Sequence, residues 1–243
     1  SRALIPESLL QTNQLMMKSA AHPVATLENR RLTSVRRGWL HGCELYLSRA
    51  ESLPVRSGVY ERELRHRFES MAAAADLFID IGAGEGFFSS YLVRMTQAEV
   101  IAFEADNDAF EVLRQNLGCN ASTEEQLTLR GDHHLADGSG VIQLDQEIES
   151  DSRAVMLKID AEGDELALLQ GATRLLDRED TSVLIRLHGK RNLTACMHLL
   201  DEHGFSVEMV SPAWWRPFVP DQSFDQESRW VIAEKHAFEV LPS

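Results

Sequence analysis

The sequence predicts an α/β protein: a doubly wound, seven-stranded and mostly parallel sheet preceded by an N-terminal cap. Three observations predict it. From Asp76 onward, short apolar runs alternate with helical patterns. Such runs suit strands buried on both faces, and the helices between them force parallel crossovers. The first run passes through Gly82, Gly84 and Gly86 straight into a helical segment. The last two runs have no helix between them, which predicts an antiparallel hairpin closing the sheet.

In chain order, Leu9, Leu10, Met16 and Met17 suggest a short helix ended before Pro23. Over residues 39–47, Trp39, His41, Cys43, Leu45 and Leu47 share one parity, which reads as a strand. Leu64, Phe68 and Met71 set a helix over 60–75. The main domain then brings strands at 77–81, 100–103, 127–129, 155–159, 183–187, 205–210 and 230–233. Its helices are expected at 87–95, 107–117 (closed by Gly118), 164–176 (Leu166, Leu169 and Leu176 inward) and 193–203 (closed by Gly204). The division is a cap over 1–57 and a main domain over 58–243.

The 243 residues are 44% hydrophobic and 26% charged, enough apolar material for a core and unlike a disordered chain. No run of about 18–20 apolar residues predicts a membrane span. No signal peptide is read at the first residues, and Cys43, Cys119 and Cys196 lack metal-site spacing, so free thiols and a cytoplasmic location are expected. The net charge is −14, unevenly spread: residues 1–75 hold 11 Lys/Arg and 7 Asp/Glu, the remainder 13 and 31. The acidic main body argues against a nucleic-acid partner. The Arg30-Arg31 and Arg36-Arg37 pairs either bind an anionic group or form a solvated face.

The most informative segment is Asp80-Ile81-Gly82-Ala83-Gly84-Glu85-Gly86-Phe87. Glycines permit the tight turn and clear side chains from a backbone that touches a ligand, and the helix start turns free N–H groups toward it. A carboxylate at Asp80, two residues before the first glycine, would repel a pyrophosphate but suits an amino group. Glu104 ends the next strand, 18 residues beyond Gly86, where a carboxylate can accept from both ribose hydroxyls. Asp132, after the third strand of the main domain, is either an acceptor for an adenine amino group or a turn residue. The order strand, glycine loop, helix, strand, acid predicts a nucleoside cofactor. The D-x-G-x-G-x-G spacing resembles the first motif of class I S-adenosylmethionine (SAM) methyltransferases and favours SAM over NAD.

A second signature is Lys158-Ile159-Asp160-Ala161-Glu162-Gly163, then Glu165, with Gly171-Ala172 after the helix. With Ile79-Asp80-Ile81-Gly82-Ala83, Ala102-Phe103-Glu104-Ala105 and Gln143-Leu144-Asp145, it resembles the FkbM family of SAM-dependent methyltransferases over about residues 58–190. The resemblance implies a Rossmann-like class I fold, SAM held by Asp80, Gly82, Ala83, Gly84, Glu85, Gly86, Phe87, Glu104, Ala105, Asp132 and Asp160, and a hydroxyl acceptor on a small molecule or glycan. Arg186 stands where the family's fifth strand commonly has an acid, and the stretch from Asp132 to Leu144 is short. Both departures border the acceptor side and keep N-methylation and a non-catalytic SAM- or nucleotide-binding role open.

Transfer to a hydroxyl needs a base at a strand end beside the cofactor. His188 ends the fifth strand of the main domain and is the natural candidate, since imidazole titrates near neutral pH. Asp160 is placed to orient the acceptor or the SAM amino group, and Glu162 is either catalytic or a charge at a helix N-terminus. Asp160, Glu162 and His188 form an alternative divalent-metal set, although no metal is expected. Lys158, inside an apolar strand, requires a buried carboxylate partner. Tyr60 and Glu61 are weaker cofactor-side candidates. Trp214, Trp215, Arg216 and Phe218 either stack on a substrate ring or close the sheet edge.

Overall fold

Every residue of the strand Leu77–Ile81 is buried, the mark of a central strand covered on both faces. A computed structural model describes residues 27, 29–131, 143–147, 153–211 and 228–235, and these build the predicted sheet around that strand. The described elements are β1 (Arg31–Ser34), β2 (Glu44–Leu47), α1 (Arg49–Ser57), α2 (Arg65–Ala74), β3 (Leu77–Ile81), α3 (Phe87–Met95), β4 (Glu99–Phe103), α4 (Asn107–Asn120), β5 (Leu127–Arg130), α5 (Leu144–Glu147), β6 (Val155–Ile159), α6 (Glu165–Gln170), α7 (Thr173–Leu176), β7 (Thr181–His188), α8 (Lys190–Glu202), β8 (Ser206–Met209) and β9 (Ser228–Glu234). Sheet order is β5-β4-β3-β6-β7-β9-β8. Pairings from β5 through β7 are parallel, and β9 runs antiparallel to both β7 and β8.

The chain winds from β3 outward to β5, then returns across β3 to lay down β6 and β7. The direction therefore reverses between β3 and β6, and the carboxyl ends of those strands open the crevice where doubly wound sheets bind ligands. Two apolar layers sandwich the sheet. One contains Leu77, Ile79, Leu157, Ile159, Val183 and Ile185 against α6, α7 and α8. The other contains Phe78, Val100, Ala102, Met156 and Leu184.

Several elements differ from the sequence expectation. The parity over 39–47 is not one strand: only Glu44–Leu47 pairs, with β1. Gly38 and Gly42 take left-handed φ of 77° and 92°, and Val35 N–H donates to Cys43 O at 2.9 Å to close the hairpin. Gly118 lies inside α4 rather than ending it. Asn116 and Asn120 hold the last turn by accepting from Tyr46 N at 2.6 Å and Glu44 N at 2.9 Å. The expected helix over 164–176 breaks into α6 and α7 around Gly171-Ala172. The segment around Leu9 to Met17 lies outside the described residues.

The hairpin and the sheet share one apolar cluster. Val35, Trp39, Leu40, Cys43, Leu45 and Leu47 pack in the same body as Phe78 and Val100. Trp39 is its hub: its ring lies 5.2 Å from Phe68, 5.1 Å from Phe88 and 5.6 Å from Tyr91, and its Nε1–H donates to Tyr60 O at 2.7 Å. Trp39→Ala is expected to cost about 3–5 kcal/mol, the scale for emptying a buried aromatic site, read as a lowered midpoint in a urea melt. A midpoint equal to wild type would mean that the hairpin adds nothing to the core.

Candidate functional site

The loop after β3 turns through three left-handed glycines, Gly82 (φ 67°), Gly84 (φ 56°) and Gly86 (φ 79°). An L side chain is strained at each. A Cβ on Gly82 would stand 2.0 Å from Asp160 O, so the loop rests directly on the backbone leaving β6. A Cβ on Gly84 would meet nothing within 4 Å, so open space flanks the loop there. Ala83 N–H donates to Phe103 O at 2.9 Å and Asp160 N–H to Ile81 O at 3.0 Å, tying the loop to its neighbours on both sides.

Beneath the loop sits a buried ion pair. Asp80 and Lys158 are register partners across β3 and β6. Nζ of Lys158 lies 2.8 Å from Asp80 Oδ1 and donates to Gly82 O at 2.6 Å. Ser89 Oγ donates to Asp80 Oδ2 at 2.6 Å. The buried lysine thus has the carboxylate partner its position requires. Asp80, expected to meet a ligand amino group, is fully buried beneath the loop, with Oδ1 ion-paired to Lys158 and Oδ2 hydrogen-bonded to Ser89.

Glu104 stands at the end of β4. Its carboxylate accepts from Gly84 N at 2.6 Å and from Asp106 N at 2.8 Å, joining the glycine loop to the start of α4, and Ala105 follows it. Glu85 turns to the cap: Arg30 Nη1 donates to its Oε2 at 2.6 Å, and Arg30 also reaches Glu51 at 2.9 Å. Burial pushes the Glu85 carboxyl up to about 7, with Glu51 adding to the rise and Arg30 opposing it. Phe87 and Ala83 are buried, and Tyr60 meets the Phe87 ring edge-on at 5.2 Å. Glu61 is also buried.

The other half lies at the ends of β6 and β7. His188 Nδ1 lies 2.5 Å from Oε1 of Glu165, a carboxylate with no exposed surface at the first residue of α6. Asn192 donates to the other oxygen. Facing an ionised carboxylate, which only accepts, the ring would carry its proton on Nδ1 and leave Nε2 free to accept. Sequence reasoning missed Glu165 as a partner of His188. The signal was an acid three and four residues before Leu168 and Leu169, the buried stripe of α6, whereas Leu166 is only partly buried.

Asp160 is half-buried, and burial pushes its carboxyl above the ordinary range; Lys158, Arg186 and His188 oppose the shift and Asp80 adds to it. Arg186 Nη1 lies 3.7 Å from Asp160 Oδ2, while its Nε donates to Ser228 Oγ at 3.0 Å and its guanidinium stacks 5.8 Å from the Trp230 ring. Glu162 is exposed, with φ 41°, on the turn into α6. Among the described residues no three His, Cys, Asp or Glu gather to hold a metal ion. Asp132 and the segment around Trp214 to Phe218 lie outside the described residues. Cys43 and Cys196 are free and buried, which pushes each thiol up to about 12, and Cys119 is free and exposed.

No protein-family model and no curated protein sequence matches the chain. Solved structures do resemble it. TYW2 of P. horikoshii in complex with MeSAdo aligns at 16% identity over 85% of this chain and 70% of that one, with a TM-score of 0.52. TYW2 of M. jannaschii in complex with AdoMet aligns at 14% identity over 85% and 84%, with a TM-score of 0.50. Methyltransferase FkbM from Methylobacillus flagellatus aligns at 17% identity over 66% and 44%, with a TM-score of 0.49. At these identities the likeness to the two TYW2 structures speaks for the fold alone, the Rossmann-like architecture of class I methyltransferases that the sheet order also shows.

Proposed function

We propose that the chain is a SAM-dependent methyltransferase of the FkbM type, acting on a hydroxyl oxygen of a small molecule or glycan. The observation that carries this reading is the His188–Glu165 pair at 2.5 Å, at the same sheet edge as the glycine loop. The open space beside Gly84 and the Glu104 carboxylate at that loop suit a nucleoside with a ribose diol. The complexes with AdoMet and MeSAdo among the similar structures favour SAM as that nucleoside. In this reading the 82–86 backbone, Ala83 and Phe87 seat the cofactor, Glu104 takes its ribose hydroxyls, and Ala105 borders that contact. Asp80 acts through the loop, and Glu85 through its backbone. Asp132 remains the candidate for the adenine. Bound SAM supplies a methyl group made electrophilic by its sulfonium.

The acceptor hydroxyl must lose a proton as its oxygen attacks. Nε2 of His188 accepts that proton while Nδ1–H stays on Glu165, which holds the ring and stabilises the imidazolium. Asp160, balanced between Lys158 and Arg186, orients the acceptor, and the exposed Glu162 lines its entrance. No helix among the described residues is long and apolar enough to cross a membrane. The free thiols suit a reducing compartment, and on that ground we assign the chain to the cytoplasm.

SAM and S-adenosylhomocysteine should each raise the melting temperature, and NAD should not. Glu104→Gln should weaken SAM binding by about 1.5–3 kcal/mol in titration calorimetry, the scale for losing a charged acceptor. Preference for NAD, or wild-type SAM affinity in a folded Glu104→Gln protein, would remove that half of the site.

His188→Ala should keep SAM affinity within about threefold yet lower conversion of SAM to S-adenosylhomocysteine by about 10²–10⁴ in the presence of acceptor extract. Glu165→Gln should reduce turnover and displace its pH profile, since the imidazolium loses its counter-charge. Equal turnover by the His188 variant and wild type would eliminate His188 as base. Tight SAM binding with no wild-type turnover in any extract fraction would favour a non-catalytic binding protein.

A further inference from the structure

A groove of about 1430 Å³ runs between the β1–β2 hairpin and α1, on the cap. Its size exceeds the usual range of a compact small-ligand pocket, about 300–1,000 Å³. Arg31, Arg36, Arg37, Arg49 and Arg56 line it, all exposed, together with the half-buried Arg30. Arg30 is engaged by Glu51 and Glu85. The other five have no ion-pair partner among the described residues, and none of the described lining residues is acidic. In a chain with 38 acidic and 24 basic side chains, five arginines in one concavity without an ion-pair partner among the described residues are a concentrated exception. Clustered like charges of this kind make a concavity electrostatically complementary to a ligand with several negative charges.

The apolar residues of the groove narrow the ligand further. Leu32 is 48% exposed and Leu53 67% exposed, and both line it. No aromatic side chain is among the described lining residues, so the stacking platform of single-stranded nucleic-acid sites is missing there. Guanidinium groups flanking exposed leucines match the layered chemistry of a lipid interface, with phosphate at the level of the arginines and acyl chain beneath.

We propose that this cap groove docks the protein on a membrane surface rich in anionic phospholipid. Arg31, Arg36, Arg37, Arg49 and Arg56 take the headgroup phosphates, and Leu32 and Leu53 enter the upper acyl layer. The proposal does not depend on methyl transfer, because none of these residues belongs to the catalytic reading.

The test is co-sedimentation of the full chain with vesicles of phosphatidylcholine alone and of phosphatidylcholine mixed with phosphatidylglycerol. Binding is expected only to the mixed vesicles, and added salt should weaken it. Each of Arg36→Ala, Arg49→Ala and Arg56→Ala should lower the partition coefficient about fivefold, the effect of one basic residue at an anionic surface. Leu53→Ser, at an exposed position that leaves the core intact, should also lower it. No dependence on phosphatidylglycerol, or arginine variants that bind like wild type, would overturn the proposal. So would wild-type binding by Leu53→Ser together with tight binding of heparin or an RNA oligonucleotide, which would identify a soluble polyanion as the ligand. Thermal melts of each variant, compared with wild type, separate lost docking from lost folding.

Discussion

Lys158 and Asp80 face each other across β3 and β6, deep in the sheet, at the place where the direction of winding reverses. Removing two charges from water is costly, and a well-packed apolar pair at such a position is often as stable or more so. The ion pair therefore contributes position more than stability. The ammonium also binds Gly82 O, and the carboxylate also receives Ser89 from α3. One pair thus joins the first strand of the crevice, the second strand, the glycine loop and the helix that follows it. Loss of one partner alone would leave an uncompensated buried charge, costing about 3–5 kcal/mol.

The same lysine also acts on the half of the crevice at the ends of β6 and β7. It opposes the burial that raises the Asp160 carboxyl, and Arg186 assists it from the next strand. Arg186 looked out of place in the sequence because an acid was expected there. In three dimensions its charge is shared among Asp160, Ser228 and the Trp230 ring, so it completes a network.

The strands of the main domain were legible because burial on both faces leaves continuous apolar runs, as at Leu77–Ile81 and Val155–Ile159. Lys158 was legible for the opposite reason: a charge inside such a run demands a partner, and Asp80 supplies it. The glycine loop was legible because left-handed backbone at three alternate positions leaves few choices of residue. What escaped was decided by tertiary contact. β1 carries no alternating pattern, since three of its four residues are exposed and none is fully buried. The length of α4 depends on asparagines bonded to a hairpin some seventy residues earlier. Glu165 resembles an ordinary acid at a helix start until β7 delivers His188 to it.

Gly82 lies against Asp160 so closely that a single added carbon would overlap its carbonyl oxygen. The two halves of the crevice are thus in backbone contact and share no cushioning side chain. Close-packed contacts transmit displacement. A ligand that shifts the chain at Asp160 also shifts the floor of the glycine loop, and a ligand that seats the loop also sets Asp160. Linkage makes such coupling reciprocal: whatever factor one ligand adds to the affinity of the other is returned in full. Two ligands bound in this crevice would therefore be interdependent partners, with neither affinity a fixed property of its own subsite.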